Sequence, residues 1–300
     1  MLDDDVYDKI LRAGKIASKV RKYAAEKVKP GIRVYDFCED VERKIYEEGG
    51  KPAFPCNISI NNVAAHYTPY IGDESVIPDE SVVKIDVGVH IDGYIADTAV
   101  TVSFNPKYDD LLLAVETALE RAIEIIKPDI GVSKIGEIIE RAIRSYGYKP
   151  IRNLSGHSIE RYNLHSGVSI PNVRDVFSVS KITSEHIYAI EPFGTNGVGY
   201  VVEGKNVYIY SFVKEKRVKD ELDRVILEDI KKKYDGLPFA ERWLRNIIPE
   251  RNRLLEVLKR LVKTKILHAY PVLLEAAGGV VAQFEHTVLV LEKEVIVTTL

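Results

Sequence analysis

The chain of 300 residues is 46% hydrophobic, enough to bury a large core in one sizeable domain or two. Lys plus Arg number 42 against 45 Asp plus Glu, a formal charge of −3, which gives no general electrostatic basis for binding nucleic acid or an anionic membrane. The two cysteines, Cys38 and Cys56, lack the spacing of a thiolate zinc site or a disulfide framework. The acidic opening MLDDDVYDKI does not read as a signal peptide and no apolar run is long enough to span a bilayer, so a cytosolic protein is expected.

Apolar residues at Val6, Ile10, Ala13, Ala17, Val20 and Ala24 predict an amphipathic helix near residues 5–28. The next segment, KPGIRVYDFCEDVERKIYEEGGKP at 29–52, aligns without gaps on KPDIGVSKIGEIIERAIRSYGYKP at 127–150. Nearly half the positions are identical, including both Lys-Pro pairs, Glu42 with Glu140, and Arg43 with Arg141. Each copy predicts a Pro-punctuated turn and a helix, with apolar stripes Val34, Phe37, Val41, Ile45 and Val132, Ile135, Ile139, Ile143. A helix near 108–126 (Leu112, Val115, Leu119, Ile123, Ile126) precedes the second copy as the first helix precedes the first. The period is too long for a solenoid unit, so the chain reads as two related halves about an approximate two-fold. Their seam is a common place for a cleft. His66 in NNVAAHYTP and His165 in RYNLHSG fall at comparable places after the two copies.

Between the copies, VVKIDVGVHIDGYIADTAV at 82–100 reads as two strands joined at Asp92-Gly93, the signature of a turn with φ > 0 at both central residues. With Ile91 opposite Tyr94, Asp86 faces Ala99 and Asp97 faces Gly88. The two acids then share one sheet face as diagonal neighbours about 7–8 Å apart. Such a pair costs stability unless the face is solvated or a cation lies between the carboxylates.

His157 in NLSGHSI, Glu191 at the end of the apolar run IYAIE, and Glu285 inside AQFEHTVLV extend the set. Taken singly, a hydrogen-bonded core histidine, a capped strand end and an exposed strand face account for them. Together with Asp86 and Asp97 they make four carboxylates and one imidazole, an oxygen-rich set that suits divalent first-row ions and can bridge two of them. GTNGVG at 194–199 lacks the strand-then-helix setting of a dinucleotide loop. His90, His186, His268 and His286 have no partner pattern and are read as structural or exposed, and Asp92 as a turn residue. Residues 205–268 read as a helical insertion whose interleaved acids and bases point to solvated helix faces rather than DNA binding.

AAHYTP, KIDVGVHIDGYIADTAVTV, FNPKY, IRNLSGHSI with YNLH, YAIEPFG and QFEHT occur in the order of the type 2 methionine aminopeptidases, and the chain resembles that family over essentially its whole length. Without a long N-terminal extension it looks like the archaeal form. The resemblance implies an α/β pita-bread fold in 1–204 with 269–300, interrupted by a winged-helix-like subdomain at 205–268. It implies that Asp86, Asp97, His157, Glu191 and Glu285 ligate two divalent ions (Co, Mn, Fe or Zn), with Asp97 and Glu285 bridging. Hydroxide attack would remove the N-terminal methionine of peptides and nascent proteins, with Glu191 shuttling the proton and His66 and His165 beside the substrate. Phe54, Pro55, Leu164, Phe193 and Tyr270 fall at or near the family's methionine pocket, where aromatic walls suit a thioether. A monomer is expected, working near the ribosome without need of nucleic acid or membrane. The alternatives are another pita-bread metallopeptidase, of prolidase or aminopeptidase P type, and a non-catalytic pita-bread binding protein. The first usually carries an additional N-terminal domain and the second loses ligands.

Overall fold

The computed structural model describes residues 3–300. Helix α1 (Asp4–Lys27) starts where the Asp3 side chain accepts the Asp5 amide, and it buries Ile10, Ala13, Ala17, Val20 and Ala24. Helix α2 (Val34–Glu47) follows, then β1 (Lys51–Pro52), β2 (Asn57–Ile60), β3 (Val63–Ala65), β4 (Val82–Ile91) and β5 (Tyr94–Ser103). In the second half, α3 (Asp109–Ile125) and α4 (Val132–Ser145) precede β6 (Lys149–Pro150), β7 (Ser155–Ile159), β8 (Ser169–Pro171), β9 (His186–Ile190) and β10 (Phe193–Thr195).

The duplication read from the sequence is a duplication of structure. Helices α2 and α4 occupy matching positions of the repeat, and each is followed by a two-residue strand made by its Lys-Pro pair. Neither helix has a side-chain cap. The Val34 amide instead donates to the Ser75 carbonyl (2.9 Å) and the Val132 amide to the Ser180 carbonyl (3.0 Å). Gly31 and Asp129 donate in the same way to Ile77 and Ile182, both at 2.8 Å. The orphan donors of a helix start are thus satisfied by equivalent extended segments in both halves.

Each half has its own core. Phe37, Val41 and Ile45 pack with Ile58, Ile85 and Val87 in the first. Ile135, Ile139 and Ile143 pack with Tyr188, Ile190 and Val288 in the second. Helix α3 departs from the expected stripe. It buries Leu111, Ala114, Ala118 and Ala122 beside Val115 and Leu119, while Leu112 and Ile123 are only partly covered. Small alanines let the helix approach its neighbours closely, so Ala114, Ala118 and Ala122 share its buried face with Leu111, Val115 and Leu119.

Strand β11 (Val201–Phe212) continues past residue 205 and pairs with β13 (Leu267–Glu275), while β12 (Phe239–Ala240) flanks β11. The first residues read as insertion are therefore sheet, and the helical part begins after Phe212. There α5 (Glu221–Tyr234) and α6 (Arg251–Lys263) enclose a separate core of Ile226, Ile230, Phe239, Leu254, Leu258 and Leu261. The chain ends through β14 (Val281–Gln283), β15 (His286–Val290) and β16 (Val295–Val297).

The glycine-rich segment 194–199 holds an internal carboxylate. Glu275, 3% exposed, accepts the amides of Val198 (2.6 Å), Gly199 (3.2 Å), Ala277 (2.8 Å) and Gly279 (2.9 Å). Burial pushes this carboxyl upward, but the four donors outweigh it and hold it below the ordinary glutamate value. Its stabilisation is present above the unfolded-state value and lost as pH falls through the folded one. Glu275→Gln puts an amide donor among four donors and is expected to cost about 2–3 kcal/mol at neutral pH. Urea denaturation measures this, and an unshifted midpoint would refute the role.

Candidate metal centre

The Asp92-Gly93 turn sets the register of the site. Both residues have positive φ, 49° and 88°, and the hairpin pairs Ile91 with Tyr94, Asp86 with Ala99 and Gly88 with Asp97. The two carboxylates therefore lie on one face, as alternation along the strands requires. Gly88 is needed because the Phe54 ring occupies the space above it; a Cβ there would stand 2.2 Å from that ring. Phe54 is thus seated on the backbone directly opposite Asp97.

The second half delivers the remaining groups across a seam of hydroxyls. The Asp97 amide donates to Thr287 Oγ1 (2.7 Å), whose hydroxyl donates back to the Asp97 carbonyl (2.7 Å). Thr98 Oγ1 donates to the Glu285 carbonyl (2.8 Å), and Thr101 Oγ1 to that of Gln283 (2.5 Å). Ala99 and Glu285 exchange backbone bonds as an isolated bridge. From helix α1, Arg21 reaches Thr98 Oγ1 (2.6 Å) behind the site. Gln283 Nε2 donates to Glu285 Oε2 at 3.2 Å. None of these supports was singled out in the sequence, since a threonine in a strand carries no mark of which partner it meets.

Asp86, Asp97, His157, Glu191 and Glu285 all line one cavity of about 250 Å³. His157 Nε2 stands 3.6 Å from Asp97 Oδ2 and 3.5 Å from Glu191 Oε1. Ligand atoms of Asp97, His157 and Glu285 lie within 4.8 Å of one another. Asp86 Oδ1, Asp97 Oδ1 and Glu285 Oε1 are buried without a hydrogen-bond partner among the described residues. Orphaned carboxylate oxygens are costly in a protein interior, and their convergence on an imidazole fits a divalent cation. Burial pushes Asp86 up to about 7. Burial and then neighbouring carboxylates hold Asp97, Glu191 and Glu285 well above their ordinary values. Burial, helped by His165, pulls His157 down to about 3, so its imidazole is neutral and ready to ligate.

The same cavity is also lined by Phe54, Leu164, Phe193, Tyr270, His66 and His165. Pro55 is buried but is not one of the lining residues; its carbonyl accepts from Asn57 Nδ2 (2.9 Å), and Asn57 takes the lining position instead. Ile209 and Pro238 also line the cavity, the latter from the inserted region. His66 Nδ1 lies 3.1 Å from the Pro271 carbonyl, and the rings of His157 and His165 are 4.4 Å apart. His268, read from the sequence as partnerless, sets its ring edge-on to Tyr270 at 4.6 Å. Burial lowers His66 to about 4 and lowers His165, and His268 contributes further repulsion to both.

The raised carboxyls make a prediction about metal binding. At pH 7 the cation-free cluster retains protons, and a cation needs the deprotonated forms. Titration with Mn²⁺ should therefore release protons, seen as a calorimetric enthalpy that varies with the buffer's ionisation enthalpy. The release should shrink as pH rises. Buffer-independent heats at pH 7 would contradict the assigned protonation.

The profile of metallopeptidase family M24 matches residues 8–292. A methionine aminopeptidase of Thermococcus onnurineus (strain NA1) is 47% identical over 295 residues, covering 98% of this chain and 100% of its own. Two solved structures share the fold. A thermophilic Arx1 superposes with a TM-score of 0.88 at 18% identity, covering 99% of this chain and 91% of its own. A methionine aminopeptidase from Thermotoga maritima gives 0.71 at 22% identity, covering 99% and 98%. The architecture is the pita-bread fold, and the family's use of divalent metal agrees with the carboxylate cluster. With the matched profile, the relative aligned over its whole length and the carboxylate cluster in agreement, the chain belongs to metallopeptidase family M24, among its methionine aminopeptidases.

Proposed function

We propose that Asp86, Asp97, His157, Glu191 and Glu285 would hold two divalent ions, drawn from Co, Mn, Fe and Zn. The observation that carries this reading is the set of orphaned buried oxygens converging with one neutral imidazole on the cavity. Bound divalent ions supply hydroxide at neutral pH and polarise the peptide carbonyl.

The chain's own groups do the rest. Glu191, whose side chain is 14% exposed, lines the cavity, and with the ions bound it is a carboxylate with an oxygen able to accept a proton. That suits a group that takes a proton from water and passes it to the leaving amine. The Pro271 carbonyl can only accept, so neutral His66 carries its proton on Nδ1 and presents Nε2 as an acceptor. Such an acceptor matches the N–H of the scissile amide. His165, exposed in the cleft, donates in this reading to the carbonyl oxygen as negative charge grows on it, and its ring lying beside that of His157 supports the assignment. Phe54, Leu164, Phe193 and Tyr270 wall the methionine side chain, and Pro238 lets the inserted region complete the cavity. Two free buried thiols, Cys38 and Cys56, suit a reducing cytosol. There a monomer acts near the ribosome on emerging N-termini.

Hydrolysis of Met-Ala-Ser should exceed that of Pro-Ala-Ser and Leu-Ala-Ser, cease after chelation and return with Mn, Fe or Co. Equal rates on the three peptides, or full activity in a metal-free preparation, would overturn the reading. The two neighbouring histidines should separate. His157→Ala loses metal and turnover together. His165→Ala keeps its metal but loses about 10²–10³ in kcat, roughly 2.7–4 kcal/mol of transition-state stabilisation. Metal analysis beside steady-state kinetics decides, and loss of metal in His165→Ala would contradict its role.

A further inference from the structure

The inserted region reaches into the catalytic half through one buried cation. Arg242, in the 3₁₀ turn Glu241–Leu244, is 0% exposed. Its guanidinium donates to Glu39 Oε1 (3.1 Å), Thr68 Oγ1 (2.6 Å), the Pro69 carbonyl (3.3 Å) and Glu42 Oε1. Glu42, on α2, also accepts the Cys56 amide (3.0 Å) and the Trp243 indole N–H (2.8 Å). Thr68 Oγ1 in turn donates to the Cys56 carbonyl (2.8 Å). One guanidinium therefore secures both backbone groups of Cys56, one through Glu42 and one through Thr68.

Those two attachments flank the cavity wall. Cys56 lies between Phe54, seated over Gly88, and Asn57, which pairs with Asp86. Thr68 lies two residues beyond His66, whose backbone sits at φ 64°. A non-glycine residue in that region costs about 1–3 kcal/mol and persists only where its surroundings hold it. The ring of His66 is held from β13 by the Pro271 carbonyl, and its following backbone is held by Arg242.

Adhesion alone does not account for this arrangement. Ile71 already packs on the apolar core of the insertion. Burying an ion pair costs desolvation that apolar contact avoids, whereas a guanidinium fork fixes direction. We propose that Arg242 is a positioning residue, which sets the placement of His66 relative to the bound substrate. This rests on the reading of His66 as a substrate-contacting group.

Two variants test it on the full-length, metal-loaded enzyme. Arg242→Met with Glu42→Gln removes the buried charges together and keeps acceptors for Cys56 and Trp243. Thr68→Val removes only the hydroxyl link and decides the matter if the first variant does not fold. Each should lower kcat on Met-Ala-Ser by roughly 10–100-fold, the cost of misplacing a reacting group, with KM changing far less and metal content unchanged. In a His66→Ala background the same changes should have almost no further effect on kcat, because the group they position is gone. Unchanged kcat, loss of metal, or an equal loss in both backgrounds would overturn the proposal. Unimpaired turnover of His66→Ala alone would instead overturn the reading of His66 on which it rests.

Discussion

Four carboxylates and an imidazole share one cavity, and like charges so close cannot all be ionised without positive charge among them. The raised carboxyls and the orphaned oxygens are two expressions of that conflict. A protein can keep such a cluster only where the backbone presenting it does not yield. Hence the rigid hairpin from one half, the bridge between Ala99 and Glu285, and the threonine hydroxyls that join β5 to the strands of the other half.

The seam also explains why the site lies between the halves. Each half closes its own core around a helix pair, and the two repeat helices dock by the same pattern of backbone bonds. The chemistry is not duplicated with the scaffold. The first half contributes Asp86, Asp97 and His66, and the second contributes His157, His165, Glu191 and Glu285. A duplicated frame with divergent side chains thus makes one asymmetric cleft, and the inserted region closes it with Pro238 and grips its wall through Arg242.

Much of this was legible in the residues. The Asp-Gly turn determined the register that aligns Asp86 with Asp97, because strand alternation admits one parity once the turn is known. The repeated segment determined two equivalent helices and their following strands, because apolar periodicity and Lys-Pro boundaries are local signals. The five ligand candidates stood out as acids in apolar strands or as a histidine after glycine, and they do meet in one cavity.

What the tertiary structure alone decided concerns partners distant in sequence. That Asn57 rather than Pro55 lines the cavity depends on where the chain turns beneath Phe54. That His268 bears on His66 and His165 depends on the packing of β13 against the cleft. The carboxylate of Glu275 enclosed by backbone amides, and Arg242 joined to Glu42 two hundred residues away, follow from the docking of segments with no shared period. Periodicity and turn chemistry act within a few residues, so the sequence by itself determined the elements, most of their faces and the acids that stand out in apolar strands. Hydrogen bonds and burial between remote segments depend on three-dimensional proximity, so only the fold decided which groups hold the site in place.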